Sequence, residues 1–160
     1  LFEWCRKTNT RLLYASSSAV EEEYWENPYA MTKWINEVMA PPNSVGMRFT
    51  TVYGPDSRPN MMYRMLEDKT AKYVTNHKRD WIHVKDVCRA IHYLASSSIT
   101  GPVTVGTGNS VSVRKLAQAM GMGHLPVVED TPGERTDNQA DISRLKKIGW
   151  FPTVDIFDTV

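Results

Sequence analysis

Most of what would mark a membrane, secreted or nucleic-acid-binding protein is missing from this sequence. No apolar run approaches the roughly 20 residues needed to span a bilayer, and no signal peptide is expected. Cysteine is nearly absent. Cys5 and Cys88 have no metal-ligand spacing, so each reads as a buried free thiol and no metal site is expected. A reducing, cytoplasmic setting follows as the default. Neither sign of charge dominates: 19 Lys and Arg against 18 Asp and Glu leave +1, which supports neither a nucleic-acid partner nor a membrane surface. No period repeats and no low-complexity linker appears. A Gly-rich phosphate turn is lacking as well, since the GTG at 106–108 lies late in the chain and outside a dinucleotide-binding context. An initiating Met is also missing. The chain opens in "LFEWCRKTN", which reads as the second half of a helix with Leu1, Trp4 and Cys5 on one face. It closes in "VDIFDTV", part of another amphipathic helix, so the expectation is a fragment cut at both ends.

What is present describes a globular domain. The 160 residues are 41% hydrophobic and 23% charged, enough to build a core. "RLLYAS" (residues 11–16) predicts a buried strand. "NPYAMTKWINEVMA" predicts a helix, with Pro28 near its start and Pro41 and Pro42 beyond its end. "VGMRFTTVYG" reads as one further strand, closing on Gly54 and Pro55. Helix, strand, helix and strand in alternation predict a parallel α/β sheet. Beyond it, residues 60–69 suggest a helix, "KYVT" a short strand, and "VKDVCRAIHYLASS" an amphipathic helix. "GPVTVGTG" reads as a strand and "SVRKLAQAM" as a helix capped by Ser112. "LPVVED" reads as a last strand and "ISRLKKIGW" as a short helix.

Within this frame the stretch "SSSAVEEEYWENPYAMTK" carries chemistry. Tyr29 and Lys33 stand four apart, so on a helix they share a face. A phenol is a poor base near neutral pH, and an adjacent ammonium stabilises the phenolate and suits it to proton transfer. The spacing alone is common among surface neighbours. The serines add to it, because they follow a strand whose carboxyl end is where parallel sheets bind ligands. From the residues alone, Ser16 reads as part of a serine-rich turn, and Ser17 as a hydroxyl beside the phenol.

"RLLYASSSAV" with "PYAMTK", then "MRFTTVYGP", "RDWIHVKDVCRAI", "VTVGTGNSVSVRKLA" and "ADISRLKKIGW" resemble successive blocks of the extended short-chain dehydrogenase/reductases. These are the NAD-dependent nucleotide-sugar epimerases and dehydratases, and the blocks run in the family's order over nearly the whole chain. The resemblance implies a Rossmann-like doubly wound α/β fold. Residues 1–54 would form its C-terminal part, residues 55–160 mainly a small α/β substrate-binding lobe, and residues 80–106 would return to the Rossmann domain. NAD is the implied cofactor, a nucleotide sugar the implied substrate, and a homodimer through the helix bearing Tyr29 the implied assembly. By position, Ser17, Tyr29 and Lys33 match the catalytic residues. Tyr29, Lys33 and Ser16 are expected beside the cofactor, and Ser17 and Ser18 beside the substrate.

The same resemblance bears on subclass. Family dehydratases carry an acid pair just after the catalytic hydroxyl, where this chain has Ser18 and Ala19. Decarboxylating relatives have Glu at the position of Ala19, and reductive epimerases have Cys there. Simple C4 epimerisation needs none of these. Thr51 and Arg58 look like the pair that holds the sugar carboxylate in UDP-glucuronate 4-epimerases. Arg79 matches an arginine that binds the substrate diphosphate, and Glu134 an acid at the nucleotide ribose, although Thr131 replaces the arginine often found before that acid. Asp80 is expected to be structural and His83 to be packed. Two departures stand out. Only eight residues (21–28) separate Val20 from Tyr29, and Glu21 and Glu22 replace the usual Tyr-Gly. Without the Gly-rich turn the 160 residues alone are expected to bind NAD poorly or not at all.

Overall fold

A computed structural model describes residues 1–21, 24–128 and 135–160. Along the chain α1 (Phe2–Thr8) leads to β1 (Leu12–Ser17), α2 (Pro28–Met39), β2 (Ser44–Phe49), β3 (Thr51–Tyr53) and α3 (Met62–Glu67). Then come β4 (Lys78–His83), α4 (Val84–Ala95), β5 (Gly101–Val105), β6 (Ser110–Ser112), α5 (Val113–Ala119) and α6 (Ser143–Lys146). Two three-stranded sheets result. In the first the order is β1-β2-β5, all parallel, with Ser17 opposite Phe49 and Phe49 opposite Val105 at the carboxyl edge. In the second, β4 pairs parallel with β3 and antiparallel with β6.

Local chemistry explains the helix bounds. Asn27 caps α2, its Oδ1 accepting from the Tyr29 and Ala30 N–H groups, and Pro28 occupies the first turn where no partner is needed. Met39 ends the helix just before Ala40 and the prolines. Ser112 caps α5 through the Lys115 N–H, as expected. His83 is buried and caps α4, its Nδ1 accepting from Lys85.

Two cores form among the described residues, and the second sheet contributes to both, Ile82 to the first and Trp81 to the second. Val45, Met47, Val103 and Val105 of the first sheet pack against Val87, Ala90 and Leu94 of α4, and Leu145 and Trp150 close the same cluster. Tyr53, Trp81 and Val111 of the second sheet pack against Leu66 of α3 and Leu116 of α5.

Several expectations need correction. "VGMRFTTVYG" is two strands, because the N–H and hydroxyl of Thr50 both donate to the Val105 carbonyl and end the first ladder. The chain then enters the second sheet as β3. "KYVT" and the described part of "LPVVED" form no strands but one bridge, Val74 to Val127. Pro126 there has no N–H with which to extend a ladder. β4 was not foreseen as a strand. β1 is half-buried rather than buried, since it lies at the edge of its sheet. Of the three residues expected on one face of α1, Cys5 is buried, whereas Leu1 and Trp4 are exposed. Cys88 is exposed, not buried, because α4 turns Val87, Ala90 and Leu94 inward. The closing "VDIFDTV" forms one 3-10 turn, Ile156–Thr159, capped by Asp155.

Candidate active site

The two serines that end β1 and the first turn of α2 face one cleft of about 450 Å³ at the carboxyl edge of the first sheet. Its lining brings Ser16 and Ser17 together with Tyr29 and Lys33, with Phe49, Thr50, Val52 and Tyr53, and with residues 55–58 and Met61. Ser17 Oγ accepts from the Ala19 N–H at 3.2 Å, which starts the 3-10 turn Ser18–Val20. That bond leaves the hydroxyl proton for another partner.

One helical turn separates Tyr29 from Lys33. The ammonium lies 5.6 Å from the centre of the Tyr29 ring and donates to the Ala15 carbonyl at 3.3 Å. Lys33 therefore reaches back from α2 to β1, across the space that Tyr29 and Ser17 border. Tyr29 itself is 54% exposed, so its phenol is open to a ligand.

The other predicted residues separate into groups. Arg58 lines the cleft and is exposed, with no hydrogen bond from its guanidinium among the described residues. Thr51 is not among the lining residues, and its Oγ1 accepts from Asn138 Nδ2 at 3.3 Å. Arg79 also lies outside the lining. Its guanidinium donates to the Lys78 and Arg135 carbonyls and meets His77 Nδ1 at 3.0 Å. Ser18 is buried, and its carbonyl accepts from Arg135 and from the Glu21 N–H. Glu134 and Thr131 fall outside the described residues. Asp80 is wholly buried and accepts from the N–H groups of Thr107, Gly108 and Ala140.

Sequence reasoning missed Glu37. It stands four residues after Lys33, the same helical spacing that joins Lys33 to Tyr29, so the signal was available. Its carboxylate takes two hydrogen bonds from Arg48 at 2.9 and 2.7 Å and one from Ser16 Oγ at 2.5 Å. The side chain is 6% exposed, so this fork-to-fork pair fastens α2 to β2 in a dry setting. Ser16 thereby spends its proton on Glu37 and faces the cleft as an acceptor. Tyr14 feels the same environment. Burial pushes its hydroxyl up to about 12, with Glu37 adding to the rise and Arg48 opposing it.

Known proteins resemble this chain in sequence and fold. A sequence model described as the NAD dependent epimerase/dehydratase family matches residues 1–106. An uncharacterized 37.6 kDa protein from the cld 5′ region of Escherichia coli O111:H- is 37% identical over 120 residues, 57% of this chain and 36% of that protein. Among solved structures, MoeE5 in complex with UDP-glucuronic acid and NAD is similar at a TM-score of 0.79 and 25% identity, covering 98% of this chain and 64% of its own. A UDP-N-acetylglucosamine 4-epimerase from Methanobrevibacter ruminantium M1, in complex with UDP-N-acetylmuramic acid, has a TM-score of 0.76 and 25% identity over 99% and 63%. TunA, an NAD-dependent NDP-hexosamine 5,6-dehydratase of tunicamycin biosynthesis, shares the fold at a TM-score of 0.80 and 20% identity, over 98% and 62%. The chain thus spans about a third of the curated relative and somewhat less than two thirds of the solved chains. Its fold is the Rossmann-like α/β fold of these enzymes, and with two thirds of its residues under the family match the chain belongs to the NAD dependent epimerase/dehydratase family.

Proposed function

We propose that the complete protein is an NAD-dependent nucleotide-sugar epimerase acting at C4, on a UDP-glucuronate or UDP-glucose type of substrate. The observation that carries this reading is the meeting of Ser17, Tyr29 and Lys33 in one cleft that Arg58 also lines. The donor set fits the cofactor: an ammonium and a phenol side by side suit the hydroxyls of a ribose, and Ser16 offers an acceptor nearby. Bound NAD would supply a reversible hydride acceptor.

The chain's own residues would do the proton chemistry. Tyr29 as phenolate takes the proton of the C4 hydroxyl, and Ser17 donates to the same oxygen and holds it in line. Lys33 supplies the positive charge beside the phenol and bonds the ribose. Regeneration of the C4 hydroxyl from the 4-keto sugar would require the same Tyr29 to give its proton back. Ser18 and Ala19 offer no acid or base with which to eliminate water at a neighbouring carbon. The 4-keto form of a uronic acid is a β-keto acid that loses carbon dioxide readily. Charge-assisted hydrogen bonds from Arg58, with Thr51 close by in sequence, would hold the carboxylate out of line with the carbonyl. Arg79 and Glu134 complete the proposed substrate set, at the diphosphate and the nucleotide ribose.

The test is turnover by the complete protein with UDP-glucuronate and with UDP-glucose, reading the galacto-configured products. Tyr29→Phe should lower kcat by about 10²- to 10⁴-fold with little change in fold. Absence of turnover with either sugar while NAD is bound would refute the substrate assignment. Carbon dioxide release or stoichiometric NADH consumption would move the assignment to a decarboxylase or reductase of the same fold. A homodimer is part of the proposal, because α2 leaves Ile35, Val38 and Met39 exposed. A monomeric mass in light scattering would remove that part.

A further inference from the structure

Four charged side chains of alternating sign run across the carboxyl edge of the first sheet. Glu37 of α2 holds Arg48 of β2, as described above. Arg48 Nη1 lies 3.9 Å from Glu21 Oε1, and Glu21 Oε2 lies 3.4 Å from Arg135 Nη1. The same Arg135 nitrogen donates to the Ser18 carbonyl at 2.8 Å. Thr104 Oγ1 of β5 donates to Glu21 Oε1 at 2.5 Å. All three of the central side chains are largely covered: Arg48 is 24%, Glu21 22% and Arg135 18% exposed. Beyond Arg135 the chain continues into Arg79, whose guanidinium donates to the Arg135 carbonyl at 2.7 Å.

Glu21 sits at the centre of this chain and immediately after the 3-10 turn that follows Ser17. Its N–H donates to the Ser18 carbonyl, so both ends of the residue hold the turn. Val20 of the turn is buried, and charged and polar bonds hold the residue after it. Its anchors are β2 through Arg48, β5 through Thr104, and the residue-135 segment through Arg135.

We infer that Glu21 is a positioning residue, a clasp that sets the Ser17 turn against α2 so that the Ser17 hydroxyl and the Tyr29 phenol converge on one substrate oxygen. The inference rests on the roles proposed above for Ser17 and Tyr29. Glu21 is absent from the cleft lining, and all its bonds described here are to the protein. It acts through the turn, and misplacement of a reacting group by even 1 Å is enough to cost about 10²-fold in rate.

The experiment uses the complete protein with NAD, comparing wild type with Glu21→Gln, Glu21→Ala and Arg135→Met. Hydrogen exchange reports the Ala19 and Glu21 amides, and steady-state kinetics report the sugar nucleotide. Loss of the clasp should speed exchange at those two amides about tenfold, with the amides of α2 unchanged. It should lower kcat by about 10- to 100-fold while KM stays within about twofold. Glu21→Gln, which keeps the bond from Thr104, should fall between Ala and wild type. Combining Glu21→Ala with Arg135→Met should add little beyond either alone. Unchanged exchange and unchanged kcat would overturn the clasp. So would a fall in kcat, affinity and melting temperature together, which marks a merely structural residue. If wild type turns over no sugar, the proposed function fails, and the exchange measurement alone decides the clasp.

Discussion

A carboxylate at the start of α4 shows how much one buried side chain can hold. Asp86 is wholly buried, and it accepts from the Thr153 N–H and hydroxyl, the Val154 N–H and the Arg89 guanidinium. Burial pushes its pKa up, but the hydrogen bonds from Thr153, Val154 and Arg89 outweigh burial and hold the carboxyl below the usual range. A folded-state pKa below the unfolded one means that Asp86 stabilises fully above the unfolded value of about 3.9. That contribution disappears as pH falls through the lower folded value. Asp86→Asn should therefore cost about 1–3 kcal/mol at neutral pH. The gap in melting temperature between the two proteins should narrow below about pH 4. A gap that stays constant from neutral pH to acid would contradict the assignment.

Among the elements, α2 carries the most consequence, because its first turn presents Tyr29. Asn27→Ala removes the acceptor for two N–H groups and should cost about 1 kcal/mol. It should also lower kcat, because the freed N–H groups belong to Tyr29 and Ala30. Equal kcat in Asn27→Ala and wild type, measured with saturating sugar, would show that the cap does not set the phenol. The Ser112 cap, the prolines and the apolar spacing of α2 and α4 were legible in the sequence because each is a short-range signal, whereas the Asn27 and His83 caps were not read from it. The all-parallel β1, β2 and β5 were legible as apolar runs. β4 was not, since its leading residues are Lys78, Arg79 and Asp80, and the buried carboxylate is satisfied by groups 27 or more residues away. The same holds at the site. Ser17, Tyr29 and Lys33 could be read from local spacing, and they do line one cleft. Glu37 and Glu21 could not be paired, because their partners are 11 to 114 residues distant.

For the molecule as a whole, Asp80 is a polar tie between the two sheets. It belongs to β4 of the second sheet, yet its carboxylate holds the turn after β5 at Thr107 and Gly108 and the Ala140 N–H of the first core. The space is tight: a Cβ on Gly106 would lie 2.9 Å from Asp80 Oδ2 and 2.6 Å from Ala140 Cβ. Asp80→Ala would leave three N–H donors without an acceptor and should cost roughly 3–5 kcal/mol. Urea unfolding should show the midpoint moving down by a corresponding amount, and an unmoved midpoint would remove Asp80 from this role.

Thr50 has a mechanical consequence. Between Phe49 and Thr51 the chain leaves one sheet and enters the other, and two bonds to the Val105 carbonyl pin it at the crossing. Ser16 and Ser17 reach the cleft from the first sheet, whereas Arg58 reaches it five residues beyond the end of β3 in the second. The pinned crossing therefore makes the cleft a seam between two sheets rather than a pocket within one.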